Sequence, residues 1–329
     1  TPEGLARVRE NALKSNYMGR LVTDSFNGAM VMANLFEIDP DTKKPLDTFA
    51  VASQLEALRG KYEDEKTGVH IIGFSKVMGD IRDGAMNVIT FFCITIVITA
   101  LLVWLYSQAF VFSVLPMSCS LAAVAWQLGA LHLLGYGIDP MSILVPFLVF
   151  AIGVSHGVQM VRVFRNQLFQ GVDTVEAARS AFRELLAPGG VALLTDTIGF
   201  ITILLIPVPT IRELAIAASI GVAAIIVTNL ILLPLMLSYL KPRAGYRERV
   251  ARRKEKTVVF WRRVALVTRP RLAKGLVIVG TILFVLGFDL AARVEVGDLH
   301  QGVPELRPES RYNRDTAVIT ENFNLGVDV

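Results

Sequence analysis

The chain has 329 residues, 53% of them hydrophobic and 19% charged, with a mean hydropathy of +0.51 and a net charge of +4. A soluble domain of this length is excluded by that balance, and a bilayer is the natural solvent. The two cysteines, Cys93 and Cys119, both fall in apolar segments, so no disulfide framework or thiolate metal site is implied.

The chain opens at Thr1 in a polar stretch without a signal peptide, which reads as an internal piece of a longer protein. Residues 1–80 read as an α+β segment. Two short strands are expected at 20–25 and 29–38, turning at Asn27-Gly28. A helix carrying Phe49, Ala52, Leu55 and Leu58 at helical spacing follows, then a strand at 69–74. Asp80, Arg82 and Asp83 read as anchors at the entrance of the first membrane helix.

From Gly84 to Ile138, and again from Pro140 to Val161, there is no Asp, Glu, Lys or Arg. About 20 apolar residues cross a hydrocarbon core, so these runs read as spanning helices. Six are expected, at 85–106, 109–134, 140–161, 188–207, 213–240 and 273–291, with Pro116 kinking the second. Residues 85–240 form a five-helix bundle, 241–272 a cytoplasmic basic segment, and 292–329 a second polar domain.

Basic loops fix the orientation. Residues 241–274 carry thirteen Lys or Arg against Glu248 and Glu255, and the loop 162–187 adds Arg162, Arg165, Arg179 and Arg183. Both belong in the cytoplasm. Six crossings then put both polar ends on the opposite face, which in a bacterial inner membrane is the periplasm. The basic residues are interleaved with Val258, Trp261, Val264 and Ala265, which reads as an interfacial helix on anionic membrane lipids rather than a nucleic-acid site.

The order of parts resembles the first half of a transporter of the resistance-nodulation-division (RND) superfamily, nearer its lipid-exporting MMPL and hopanoid-exporter branch than its drug pumps. The resemblance lies in 148–157 (LVFAIGVSHG) running into Arg162 and Arg165, Glu176-Ala177-Ala178, 193–200 (LLTDTIGF), 206–209 (IPVP) with Ile211-Arg212-Glu213, and 218–222 (ASIGV). The five helices before the basic segment also resemble a sterol-sensing domain. The resemblance implies a polytopic α-helical membrane protein with α+β periplasmic, porter-like domain pieces at both ends. It further implies a secondary active transporter, driven by the proton-motive force, that exports a lipid-like or hydrophobic substrate. A homo-oligomer, dimer or trimer, and an accessory periplasmic or outer-membrane protein fit the same picture. Two other readings stay open: a membrane lipid sensor or scaffold, and ion-driven protein translocation.

Asp196 is the only charge between Leu185 and Ile211. A charge inside a membrane helix costs several kcal/mol unless paired or neutralised, which marks it for function. Counted from Pro188 it sits roughly 12 Å deep, and His156, counted from Arg162, roughly 9 Å deep. The pair is therefore expected to face each other as a proton relay. RND families commonly carry an acidic residue where this chain has Ser155 and His156. Ser155, Gln159, Thr195, Thr197 and Asn229 read as a supporting polar cluster, with Gly153 and Gly157 permitting close helix packing. His132 reads as interfacial, while His70 and His300 fall in polar regions. No metal-ligand spacing, phosphate-binding loop, cofactor motif or nucleophile with its base is present, so the chain does not read as an enzyme.

Overall fold

The computed structural model describes residues 2–15, 17–39, 43–44, 46–139, 141–240, 246, 258, 260, 262–294, 297, 302–304 and 306–324. The helices are α1 (Pro2–Lys14), α2 (Thr48–Tyr62), α3 (Phe74–Ser107), α4 (Phe110–Leu133), α5 (Val145–Phe169), α6 (Thr174–Ile203), α7 (Pro209–Ser238), α8 (Pro270–Ala291) and α9 (Arg311–Asn322). Six of them, α3 to α8, are long and apolar enough to cross a membrane. Residues 258, 260 and 262–264 of the basic segment are helical and lead into a 3-10 turn at Ala265–Thr268. Trp261, most of 241–257, His300 and the side chains of Arg82 and Asp83 lie outside the described residues.

Two spans run further than the apolar runs suggest. α5 continues past Arg162 to Phe169, and α6 begins at Thr174, where the Asp173 carboxylate accepts from Val175 N. The chain divides into two units, Thr1–Asn87 with Glu295–Val329, and Val88–Val294.

In the second unit the core is built by α4, α5 and α7, with α6 along one side; α3 and α8 are exposed along most of their length. Without a hydrophobic force between helices in lipid, close approach of small residues is what holds such a bundle. A Cβ on Gly221 would lie 2.3 Å from Val149 Cγ2, and one on Gly157 would lie 2.6 Å from Pro116 Cβ. α3 reaches the core through Phe92, whose ring meets Phe147 at 4.7 Å and Phe150 at 5.6 Å.

In the first unit the expected strands are not formed. Among the described residues there is no strand; isolated bridges join Met18 to Val22 and Val22 to Ala29. The chain does turn back near Asn27-Gly28, with Thr23 N donating to Gly28 O and Met30 N to Leu21 O. The turn occupies Asp24 to Asn27, Phe26 has φ of +57°, and Ser25 Oγ and Thr23 Oγ1 donate to Asn27 Oδ1. A lone two-stranded ribbon is marginal in water, and Val31, Met32, Phe36 and Ile38 beyond it are exposed. At 69–74 side chains from α9 take the backbone groups a ladder would use. Ile71 N donates to Asp315 Oδ2, Arg311 donates to Val69 O, and Gly73 N donates to the Tyr312 hydroxyl.

Asp315, 1% exposed, holds this unit together. Its carboxylate accepts from Arg59 Nη2 at 2.5 Å and Arg311 Nε at 3.1 Å, and His70 Nδ1 lies 2.9 Å away. Asn313 fastens the preceding loop, accepting from Val303 N and donating to the carbonyls of Val303, Leu306 and Arg307. These contacts join chain that precedes the first span to chain that follows the sixth. The two therefore lie on one side of the membrane, and the number of crossings between them is even.

The Arg311 guanidinium holds the Glu63 carboxyl below its ordinary value, and backbone donation from Lys66 and Thr67 does the same for Asp64. Burial pulls the Lys76 ammonium down, but hydrogen bonds to Asp80 and Glu56 outweigh it and leave it raised.

Four outcomes follow from these contacts. Gly221→Ala should cost about 1–3 kcal/mol by overpacking against Val149, read as a lower Tm in detergent. Gly280→Ala in α8, with nothing within 4 Å, should leave Tm unchanged or slightly raised. Asp315→Asn should destabilise the first unit by about 3 kcal/mol, because buried Arg59 loses its buried counter-charge and keeps only the exposed Glu56; faster proteolysis between α8 and α9 would show it. The lowered carboxyls contribute fully above their ordinary values of 4.5 and 3.8 and lose that contribution as pH falls through the depressed values. The raised lysine contributes below 10.5 and loses its contribution only above it. Exchange protection of α2 and α9, corrected for intrinsic rates, should stay level from about pH 5 to 10 and fall below about pH 4.

Candidate functional site

The most enclosed polar side chain of the bundle that sequence reading picked out is Asn229, which is fully buried. Pro234 has no N–H for the Leu230 carbonyl and its ring crowds that carbonyl, and the helix widens to π geometry over Ile226–Leu232 just ahead of it. Asn229 sits in that wide turn. Its Nδ2 donates to Thr228 Oγ1 at 3.2 Å, and Ser120 Oγ lies 3.5 Å from its Oδ1 while donating to Pro116 O. The amide lies over the two glycines of α5, since a Cβ on Gly153 would be 3.2 Å from Asn229 Nδ2 and one on Gly157 would be 3.0 Å from its Oδ1. Gly153 and Gly157 thus open the space in which α4, α5 and α7 share one polar contact.

His156 is half-buried on the side of α5 that packs against α6. Its Nδ1 lies 3.0 Å from Ile152 O, and its Cδ2 would be 3.7 Å from a Cβ on Gly189. The two helices are adjacent, but the ring stands at the level of Gly189 rather than Asp196. Seven residues separate those two positions, about 10 Å along α6 at 1.5 Å per residue. No hydrogen bond joins His156 to Asp196. Asp196 is exposed on the outside of α6 and has no hydrogen-bond or ion-pair partner among the described residues.

Ser155 and Gln159 are exposed on the outer face of α5, in line with exposed Arg162 by spacings of four and three. Ser155 and Gln159 therefore do not join Asn229 in the supporting polar cluster expected for them, because Gly153, Gly157, Val161 and Phe164 claim the buried face. Thr195 and Thr197 donate to Val191 O and Leu193 O, both at 2.8 Å. Their hydroxyls are satisfied within α6 rather than across helices.

A second polar cluster, not singled out from sequence, lies where α3 ends, α4 begins and α5 makes its last turns. Arg165, 8% exposed, donates to Tyr106 O at 3.4 Å and lies over the rings of Tyr106 at 5.5 Å and Phe169 at 5.9 Å. The Tyr246 hydroxyl donates to Ser107 O at 2.9 Å, its ring stacks on Phe169, and Ser107 Oγ meets Ser113 Oγ at 2.8 Å. The signal was in the spacing: Arg165 shares a face with Val161 and Leu168, whereas Arg162 does not. Gln127 is the other missed residue. It is fully buried, with Nε2 donating to Ala217 O of α7 and Oε1 unpaired.

A relative from Methanocaldococcus jannaschii, described only as a membrane protein, is 25% identical over 125 residues, which is 38% of this chain. The chain matches about a third of the length of that relative, 32%. The profile of the MMPL family matches residues 25–273, which takes in α2 to α7 and the start of α8. That span is well over half of the chain, and with six apolar helices of spanning length it shows that the protein belongs to the MMPL family.

Proposed function

We propose that this chain is the membrane portion of a proton-driven exporter of lipid-like or hydrophobic substrates, with Asp196 as its proton-carrying group. One observation carries the reading. Asp196 stands on an outward face of an apolar helix, well inside the span, without a partner among the described residues. A carboxylate at that depth is tolerated when it takes up a proton or meets a cation, and either makes its charge the variable that a proton gradient can work on.

His156 serves as a second station in this scheme, about two turns nearer the face with the basic loops, along the seam between α5 and α6. Protons entering from the opposite side reach Asp196 first and then His156, with water bridging the gap. Movement at that seam reaches α4 and α7 through the contact of Asn229 with Gly153 and Gly157. Substrate leaves toward the side holding both chain ends, opposite the basic loops, which in a bacterial inner membrane is the periplasm.

Proton-coupled export from vesicles holding the full-length protein tests this. Asp196→Asn should lower coupled export on the order of a hundredfold, as loss of a proton-transfer group does elsewhere, with insertion and folding intact. His156→Ala should give a smaller loss, since water can stand in for it. Export at the wild-type level in both variants would return the two residues to packing roles.

A further inference from the structure

Three cationic side chains are buried among the described residues: Arg59, Lys76 and Arg165. Arg59 meets Asp315 and Glu56, and Lys76 meets Glu56 and Asp80. Among the described residues Arg165 meets no carboxylate. Its partners are one carbonyl at 3.4 Å and two aromatic faces, and its Nε has no acceptor. A guanidinium stays charged at any physiological pH, so burial does not neutralise it. The carbonyl end of α3 offers only a partial negative charge, and ring faces offer less. A buried full charge with partial compensation calls for a counter-ion.

The place says which one. Arg165 stands where three spans end or begin, at Ser107 of α3, Phe110 of α4 and the last turns of α5, which is the level of lipid headgroups. Tyr106, Phe112, Phe169 and Tyr246 gather round it, aromatic groups suited to that boundary. Arg162 is exposed one turn earlier on the same helix and adds a second cation. We propose that Arg165 anchors a binding site for one anionic phospholipid, whose phosphate supplies the missing counter-charge to the guanidinium fork. The site holds α3 to α5 through the lipid, and it stands independently of the proton reading at Asp196.

Native mass spectrometry of the delipidated full-length protein tests the site, with phosphatidylglycerol, phosphatidylcholine or inorganic phosphate added in turn. Wild type should hold one phosphatidylglycerol in preference to phosphatidylcholine. Arg165→Gln should weaken that binding at least about tenfold, the value of one hydrogen-bonded charge contact, and Arg165→Lys should restore part of it. Equal phosphatidylglycerol binding in Arg165→Gln overturns the proposal. So does saturation by inorganic phosphate with no preference for the lipid, which would make this a free-anion site. Should Arg165→Gln not fold, a photoreactive phosphatidylglycerol on wild type gives the answer: labelling of the peptides holding Tyr106 or Arg165 supports the site, and labelling only elsewhere overturns it.

Discussion

Hydrocarbon offers no partner to a backbone N–H or C=O, and this one deficit shapes the whole second unit. Every spanning segment must be helical, and helices in lipid gain nothing from burying apolar surface against one another. What remains to hold them is close contact and the few polar groups that find each other. Gly153 and Gly157 on α5 and Gly221 on α7 supply the contact, since side chains of neighbouring helices occupy the space a Cβ would need. Asn229 supplies the polar group, at the widened turn that Pro234 imposes. The same scarcity makes every other polar side chain in the bundle informative, including those on its outside.

The first unit obeys the opposite rule, because water is available and apolar packing is thin. Charges do the joining there. The Asp315 carboxylate collects Arg59, Arg311, His70 and the Ile71 amide, and so binds segments that the sequence separates by more than two hundred residues. Side chains of α9 take backbone groups that a strand would have offered to a neighbour, which is why residues 69–73 form no strand.

Much of the bundle was legible from sequence because hydropathy responds to the bilayer directly. The uncharged runs mark most span ends to within a few residues, and the errors lie where α5 and α6 continue past the apolar stretch on helix-forming residues such as Glu176, Ala177 and Ala178, the two alanines buried in the core. The six crossings were legible from the apolar runs, and the contacts of Asp315 with Arg59, His70 and Ile71 agree with an even number. The strands were not legible, because Asn27-Gly28 signals a turn without saying whether a third strand is at hand to stabilise it. The site was read in part. Ser155 and Gln159 were read as interior support and lie outside, because Gly153 and Gly157 take the inner face of α5. Depth alone put His156 and Asp196 level, whereas the helices are offset so that His156 meets Gly189. Arg165 was counted as a loop charge when its spacing with Val161 and Leu168 placed it in the core.

The central claim is that Asp196 gains and loses a proton as the gradient is applied. Infrared difference spectroscopy of the full-length protein in vesicles, with the gradient switched on, tests it most directly. The account predicts a carboxyl protonation signal in wild type that Asp196→Asn removes and His156→Ala leaves in place. A gradient-dependent carboxyl signal of equal size in Asp196→Asn would contradict it.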